Sequence, residues 1–487
     1  MRAAALLVVA ACTGNGVVVE PVIDLPSNDS ASAFPVDDLV LSVAHSGSTA
    51  DLVAQTFASN QLVEMPGVPF GDDLVIHMTG HIGSSEVAYG RTCKLAVNQN
   101  AATPAPHLFF SRSVKFADLA LPVQPEPRRA GNGVADVDGA GLVLGGVDPI
   151  DGTSPVADVE RFDPRTGELR LLATVDPRIG AVAAALGTGG DARIALLGGQ
   201  DPLTGVGATF VELLEPDAPA ARRYERIDDA QMARVGLTAT ALTDGRVIAI
   251  GGMPIGGVPS DAVDEVSISN GSATVRVLRA LLAHPRYRHT ATRLGDDVGA
   301  PVLVAGGLDA AGLPVLTAEL FKPLAEGFSK TFTANAMVVA RSGHQAVLMP
   351  DGSVLILGGV GIGGATVNVT DTLERFTLDA GFVAVGLLPP NAGLVDFAAT
   401  PLPDGRVLLT GGRRCEDTTM CPPLDTAFIA RLDPIDGSVD VVATDHMSIA
   451  RAGHQATLLC DGTVLVTGGT DAPSVAERYN PPALGRR

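Results

Sequence analysis

Three histidines recur at one position of a repeated segment, and imidazole can bind a metal or move a proton near neutral pH. Residues 340–359 read ARSGHQAVLMPDGSVLILGG, and residues 450–469 read ARAGHQATLLCDGTVLVTGG. The histidines are His289, His344 and His454, and the same position elsewhere holds Asn132, Ala181, Leu237 and Leu394. Brought together, the three imidazoles would form a metal site. Since four repeats lack the histidine, we expect instead that each ring packs at the start of its strand and bonds a neighbouring backbone group.

An arginine and a glutamate also recur, and both are missing from the same repeat. The arginines are Arg129, Arg178, Arg234, Arg286, Arg341 and Arg451. The glutamates are Glu160, Glu212, Glu265, Glu319, Glu374 and Glu477. The remaining repeat has Asn391 and Ala430 at these places. Charges that pair in a buried site are lost together, because one partner alone would leave an uncompensated charge. We therefore expect structural ion pairs rather than a catalytic ring.

The cysteines predict disulfide chemistry. Cys415 and Cys421 lie close together in RRCEDTTMCPP and predict a local disulfide, with metal binding by the two thiols as the alternative. Cys93 and Cys460 are either free or paired with each other. The sequence contains no G-x-S-x-G elbow, P-loop or HExxH motif, so these residues give no nucleophile or metalloprotease signature.

Short apolar strands that end in a Gly-Gly pair would position these side chains. The first glycines of the pairs are at positions 145, 198, 251, 306, 358, 411 and 468. Each unit starts with a short strand, continues through a turn that is often Asp-Gly, and then has the unbroken apolar strand that suggests burial on both faces. A third strand follows, as in VERFDP or AERYNP, and a fourth should complete the unit. Four strands repeated at a fixed period predict β-propeller blades.

The chain resembles the kelch-repeat propellers in its diglycines, its period and the Glu-x-aromatic strand, over residues 106–487. The tryptophan usual in the fourth strand is missing. The resemblance implies an all-β fold with seven blades. Galactose-oxidase-type enzymes share this fold and bind copper through two tyrosines, one crosslinked to cysteine, and two histidines. The four tyrosines here, Tyr89, Tyr224, Tyr287 and Tyr479, match that set poorly, and we expect no cofactor.

The last repeat stops soon after its third strand, so a strand from elsewhere should complete it. The segment KFADLALP at 115–122 precedes the first repeat and is the candidate. Strands from both ends of the chain would then share one blade and leave no exposed edge.

The first residues predict export. MRAAALLVVAAC has one arginine and a short apolar run before Cys12 and resembles a lipoprotein signal, in which residues 1–11 are removed and Cys12 is lipidated. A plain signal peptide is the alternative. Residues 12–35 read as a flexible tether, and residues 36–105 as a small β-sandwich-like domain. The expected location is the cell envelope, anchored to the outer membrane.

The net charge of −20 makes nucleic acid or an anionic membrane surface an unsuitable partner, because phosphate contacts need clustered Lys and Arg. Loops that vary between repeats, such as 360–372 and 413–427, predict recognition on a rigid scaffold. The first functional hypothesis is a non-catalytic binding or scaffold lipoprotein that recognises a protein or glycan. The alternative is a carbohydrate-active oxidase or sugar isomerase that uses the central pocket.

Overall fold

The strands of the chain form a ring of sheets with a smaller sheet beside it. The computed structural model describes residues 17–26, 35–58, 61, 63, 67–98, 105–119, 125, 127–128, 131–219, 224–278, 282–324, 327–334, 336–363, 366–414, 421–470 and 476–482. Those residues contain no α-helix, and their two 3-10 turns are Gly189–Asp191 and Ala230–Met232. Within these residues, no helix is long and apolar enough to cross a membrane.

Seven four-stranded antiparallel sheets follow one another in the described residues, and we call them blades 1 to 7. Blades 1 to 3 comprise Asn132–Ala135, Gly141–Leu144, Asp158–Asp163 and Glu168–Thr174; Ile179–Leu186, Arg193–Gln200, Phe210–Leu214 and Tyr224–Asp228; and Thr238–Ala241, Val247–Ile250, Val263–Ser269 and Ser272–Val277. Blades 4 and 5 comprise Thr290–Arg293, Val302–Ala305, Ala318–Leu324 and Gly327–Ala334; and Gln345–Leu348, Val354–Leu357, Thr372–Thr377 and Gly381–Leu387. Blades 6 and 7 comprise Ala398–Pro401, Val407–Thr410, Ala427–Leu432 and Val439–Ala443; and Gln455–Leu458, Val464–Thr467, Glu477–Asn480 and Lys115–Asp118.

The first strands of the blades contact one another in cyclic order, and the first strand of blade 1 contacts that of blade 7. The sheets therefore close into a ring, which is the arrangement of a β-propeller. The second strand of each blade is apolar because it is covered on both sides; in blade 5, for example, Val354, Leu355, Ile356 and Leu357 are all buried. The core lies in the layers between neighbouring blades.

The last blade takes its fourth strand from the other end of the repeats. Lys115–Asp118 pairs antiparallel with Glu477–Asn480, with Phe116 opposite Tyr479. This pairing ties the two ends of the propeller together and removes two sheet edges.

Two faces of the ring follow from the strand order. The diglycine loops and the connections between blades lie on one side, which we call the diglycine face. The turns between first and second strands and between third and fourth strands lie on the other side, which we call the turn face.

The small unit consists of one main sheet and a smaller second sheet. Asp38–His45, Asp51–Ala58, Gly71–Ile82, Ser85–Arg91, Leu95–Val97 and Ser111–Arg112 form a six-stranded sheet. Val22–Asp24 and His107–Phe109 pair in parallel as a second, two-stranded sheet. Ile23 and Leu108 belong to the same hydrophobic cluster as the larger sheet, so the second sheet is only a partial cover.

The boundaries differ from the sequence expectation at both ends of this unit. Val17 bridges to Val68 and packs against the core of the small unit, so part of the expected tether belongs to that unit. Ser111–Arg112 pairs with Ser85–Arg91, so the unit extends past residue 105 and the propeller begins at Lys115 instead of residue 106. Long-range pairing, which local composition does not encode, sets both boundaries.

The small unit is fastened to the turn face at blade 7. Cys93 and Cys460 form a disulfide across a sequence separation of 367 residues. The Arg91 Nε donates to the Asp461 carbonyl at 2.8 Å. The Asn480 side-chain amide donates to the Tyr89 carbonyl at 2.6 Å and to the Ser111 carbonyl at 3.0 Å. The opposite, diglycine face is therefore the one that this unit leaves open.

Candidate functional site

The recurrent arginine is a buried junction between strands. In blade 5, Arg341 has no exposed surface, and its Nη1 donates to the carbonyls of Gly358 at 3.0 Å and Thr372 at 2.8 Å. Its Nη2 donates to the Glu374 carboxylate, which also accepts the backbone N–H of Val338 at 2.7 Å. The pair thus satisfies backbone groups at the end of the second strand and at the entry to the blade.

The arginine backbone also joins neighbouring blades. The carbonyl of Arg341 accepts the N–H of Gly307, the second glycine of the preceding blade, at 2.9 Å. The same bond runs from Gly469 of blade 7 to the Arg128 carbonyl of blade 1 at 3.0 Å and closes the ring. The diglycine is required here because both of its residues have positive φ; in blade 4, Gly306 has φ 61° and a Cβ on it would lie 2.4 Å from the Arg341 carbonyl oxygen.

Four blades hold the arginine and glutamate named from the sequence as an ion pair. The pairs are Arg178–Glu212, Arg286–Glu319 at 2.8 Å, Arg341–Glu374 and Arg451–Glu477 at 3.1 Å. Burial lowers the pKa of Arg286, Arg341 and Arg451, and it lowers that of Arg178 to about 10. Side chains this enclosed are structural ties and offer nothing to a substrate.

Two blades use a neighbouring residue instead. In blade 1 the partner of Glu160 is Arg128, which stands four residues before the first strand, as Arg341 does in blade 5; Arg129 lies outside the described residues. In blade 3 the partner of Arg234 is Asp264, not Glu265. Successive strand residues point to opposite faces, and Glu265 accordingly contacts Arg246 and Arg276.

Blade 6 replaces the ion pair with apolar side chains, but not at the positions named from the sequence. The carbonyl that accepts the Gly359 N–H belongs to Leu394, so Leu394 stands where other blades have arginine and Asn391 does not. Phe428 pairs with Leu409 as Glu374 pairs with Ile356, so Phe428 replaces the glutamate and Ala430 does not. Leu394 and Phe428 belong to one hydrophobic cluster.

The three histidines lie in separate blade interfaces. Their Nε2 atoms contact threonine hydroxyls at 3.1, 2.9 and 2.8 Å, in the pairs His289–Thr238, His344–Thr290 and His454–Thr410. Burial lowers the pKa of each to about 3, so the rings are neutral. The described residues contain no group of three or more side chains arranged to hold a metal ion. Threonine, rather than the backbone group expected, is the partner of each ring.

The tyrosines are also dispersed. Tyr89 contacts His77 in the small sheet at 2.7 Å, Tyr224 donates to Glu212 at 2.7 Å, and Tyr479 contacts Thr444 at 3.0 Å. Burial raises the pKa of Tyr479 to about 12. Tyr287 forms a backbone bridge with Leu308. These positions do not assemble the tyrosine and histidine ligands of a copper-radical site.

The structure describes three of the five cysteines. Cys93 and Cys460 are bonded to each other, which resolves the two alternatives left by the sequence. Cys421 is disulfide-bonded. Cys415 and Cys12, the expected sites of a local disulfide and of lipidation, lie outside the described residues.

A cavity of about 360 Å³ opens on the turn face of blades 4 to 6. Its lining includes Pro350, Pro401 and Pro403, together with Asp296 and Arg406. Both charged groups are already engaged locally, since Asp296 accepts from Arg293 at 2.7 Å and Arg406 donates to Asp404. The cavity therefore lacks a converging acid and base, which catalysis in a pocket would need.

The diglycine face carries exposed aliphatic side chains on four consecutive blades. They are Ile150 (94% exposed), Leu203 (68%), Val206 (64%), Ile255 (43%), Val258 (70%), Leu313 (48%) and Leu316 (41%). We call these seven residues the aliphatic patch. Each lies in the loop that follows a diglycine, in blades 1, 2, 3 and 4. All seven lie in loops on the same open face, which makes this face a candidate interaction surface.

Aspartates fix the loops that present this patch. The Asp148 carboxylate accepts the N–H of Ile150 at 2.7 Å, and Asp201 accepts the N–H of Leu203 at 2.9 Å. In blade 4, Asp309 accepts the N–H of Leu313 at 2.9 Å. A side chain on such a braced loop loses little conformational freedom on binding. Sequence reasoning missed this patch, although Gly-Gly-x-Asp, which recurs in repeats 1, 2, 4 and 7, was a usable signal for three of its four loops.

The fold is similar to solved structures. A structure of YjhT aligns with a TM-score of 0.48 and 14% identity, covering 66% of this chain and 99% of that chain. A fungal alcohol oxidase of the AA5 family, in complex with copper, aligns with a TM-score of 0.54 and 17% identity, covering 76% of each chain. No protein-family model and no curated protein matches. At this identity the likeness shows the fold alone, a β-propeller of the kelch or galactose-oxidase type.

Proposed function

We propose that this chain is a non-catalytic binding protein that docks a partner on the diglycine face. The observation that carries the proposal is the aliphatic patch, which spans blades 1 to 4 on the face opposite the small unit. Of the two partner classes expected from the sequence, protein fits better than glycan, because grouped exposed aliphatic side chains are typical of protein contact surfaces. The buried ion pairs and histidines serve the scaffold that holds these loops.

Export and anchoring at the cell envelope are part of this proposal. The Cys93–Cys460 disulfide supports it, since disulfides persist in oxidising compartments. We expect Cys12→Ser to release the protein from the membrane fraction on cell fractionation, with Cys421→Ser as the matched control that stays bound. Retention of the Cys12→Ser protein would contradict lipid anchoring at that residue.

A carbohydrate-active enzyme is the alternative. The fold shared with an alcohol oxidase supports it only at the level of the scaffold. Copper is the metal that this similarity implies, and the residues here do not fit it, because the histidines occupy different blade interfaces and the tyrosines contact other groups. An enzyme of this sequence would need a different chemistry from the copper oxidases.

A surface-matched pair of variants tests the binding role. The face variant combines three substitutions in the aliphatic patch, Ile150→Ser, Leu203→Ser and Val258→Ser. The control combines Val298→Ser, Leu378→Ser and Ile435→Ser on the turn face, where these side chains are 82%, 63% and 93% exposed. We expect in-cell cross-linking mass spectrometry to find a protein joined to the diglycine loops. That product should disappear in the face variant and persist in the control. Equal cross-linking by both variants would refute docking at the patch.

A further inference from the structure

The loops that bear the aliphatic patch carry charge of one sign. They run over 147–157, 200–209, 253–262 and 308–317 and contain the acidic residues Asp148, Asp151, Asp201, Asp261 and Asp309. The same four ranges contain no lysine or arginine. The described structure covers all four loops completely, so the aliphatic side chains have acidic residues and no basic residue within their own loops.

Hydrogen bonds favour the ionised form of two of these carboxylates, Asp151 and Asp201. Hydrogen bonds from the Ser154 side chain and backbone lower the pKa of Asp151 to about 2. The Thr204 N–H and hydroxyl lower the pKa of Asp201. At Asp201, the hydrogen bonds that brace the loop therefore also favour its negative charge. The charge is fixed in position next to the apolar side chains, as Asp148 is beside Ile150.

We propose that the partner presents an aliphatic protein surface bordered by lysine or arginine. This rests on the proposed docking function and specifies its partner. Apolar contact supplies affinity at the centre of an interface, while complementary charge selects the partner and speeds association. A second copy of the chain would bring the same negative loops together, and an anionic bilayer would repel them. Neither competitor matches the sign of the charge.

Two synthetic helical peptides of equal length test the charge preference. One combines leucine with lysine, and the other replaces every lysine with glutamate. We expect the purified chain to bind the leucine–lysine peptide saturably in titration calorimetry, at least about tenfold tighter than the glutamate peptide. Binding should weaken as salt is raised. The face variant should lose about tenfold in affinity, and the turn-face control should not.

A charge variant separates the two contributions. Asp261→Asn removes one charge from a loop in which the Asp261 backbone, not its carboxylate, accepts the Leu282 N–H. It should weaken the lysine peptide several-fold and leave thermal stability unchanged. If both peptides bind equally and the face variant weakens both, the docking surface stands but the basic partner is refuted. If the leucine–lysine peptide binds the face variant as tightly as it binds the unsubstituted chain, the attraction is a general one between opposite charges. Docking at the aliphatic patch is then refuted as well.

The two competing occupants of the patch, a second copy of the chain and an anionic bilayer, are each tested by a separate measurement. Sedimentation velocity would detect a concentration-dependent dimer that the face variant abolishes, and flotation with phosphatidylcholine or phosphatidylglycerol vesicles would detect bilayer binding. We expect a monomer and no flotation of the chain without its lipid. A patch-dependent dimer or patch-dependent flotation would overturn the proposal.

Discussion

The buried ion pair of blade 3 contains an aspartate, whereas the ion pairs of the other blades contain a glutamate, which is longer by one methylene group. Asp264 is shorter than the glutamate of the other blades, and Arg234 does not reach all the groups that Arg341 reaches. Among the described residues, Arg234 Nε, Arg234 Nη1 and Asp264 Oδ1 are buried without a hydrogen-bond partner. Burial raises the pKa of Asp264. Leaving such groups unpaired costs free energy, so this blade carries an avoidable penalty.

Lengthening the acid should therefore stabilise the protein. We expect Asp264→Glu to increase the free energy of unfolding by about 1 kcal/mol, because the longer carboxylate can reach a group that is now unpaired. The reverse change in blade 4, Glu319→Asp, is the control and should destabilise by about 1–2 kcal/mol. Urea unfolding of the two variants measures both. Destabilisation by Asp264→Glu would mean that the site is packed too tightly for the added methylene.

Neutral buried histidines make stability depend on pH. The pKa of His289, His344 and His454 is about 3 in the folded state and about 6.5 when unfolded. The unfolded chain therefore binds protons that the folded chain rejects as the pH falls below 6.5. The contribution of these histidines to the free energy of unfolding is fully present above pH 6.5. It is lost as the pH falls toward 3, by about 1.4 kcal/mol per pH unit for each histidine.

Blade 6 offers a natural substitute, since Phe397 packs against Gly358 as His344 packs against Gly306. Relative to wild type, His344→Phe should flatten the decline in unfolding free energy between pH 6.5 and 4, even if the unbonded Thr290 hydroxyl lowers stability at pH 7. Denaturant titrations at several pH values test this. An unchanged slope would show that the ring titrates normally in the folded state.

At the scale of the blade, the arginine is one of two ties that join strands. The second links the third strand to the first turn on the opposite face, in the pairs Arg161–Asp136, Arg375–Asp351 and Arg478–Asp461. Blades 3 and 6 close the same turn locally, through Arg246 with Asp244 and Arg406 with Asp404. Different blades thus use different residue pairs to close the same turn.

A double-mutant cycle measures the first tie. Arg341→Ala and Glu374→Ala should each cost about 3–5 kcal/mol, since each leaves its partner buried and uncompensated. The double variant should cost clearly less than the sum. Arg341→Ala combined with Glu319→Ala, in a neighbouring blade, is the control and should be close to additive. Additivity of the Arg341 and Glu374 losses would mean that the two side chains do not interact.

At the scale of the molecule, one blade carries the joints of the whole chain. Blade 7 is built from both ends of the propeller, and it also bears the disulfide and the Asn480 contacts to the small unit. Blade 7 is joined to blade 1 by the hydrogen bonds of Gly469 to Arg128, Gln455 to Gly131 and Cys460 to Gly139. We infer that opening of the ring and release of the small unit are coupled there.

Removing the disulfide should expose that coupling. We expect Cys93→Ser combined with Cys460→Ser to lower the unfolding free energy by about 2–4 kcal/mol, because the closed loop is long. The small unit should become sensitive to protease before the propeller does. Cys421→Ser, in a different loop, is the control and should leave the small unit protected. A single transition at an unchanged melting temperature would show that the remaining contacts suffice.

The repeat period and the turn chemistry were enough to predict a propeller with its closing strand. A local rule produced each of these: the diglycine ends a strand, Asp-Gly turns the chain, and the missing last strand had one candidate at 115–122, of which 115–118 forms the strand. The sequence also predicted that one repeat lacks both charges of the tie. These predictions hold even when a residue is assigned to a neighbouring position of its repeat, because they depend on the spacing between elements rather than on the identity of one position.

Only the tertiary structure decided which residues occupy each position. Asp264 replaces Glu265, and Leu394 replaces Asn391, because a shift of register reassigns every side chain to another face and neighbour. The Cys93–Cys460 bond and the position of the small unit join residues hundreds of positions apart, which local pattern does not encode. The aliphatic patch exists only once folding has brought four distant loops to one side. Sequence fixes what each blade contains, and packing fixes which of its side chains meet.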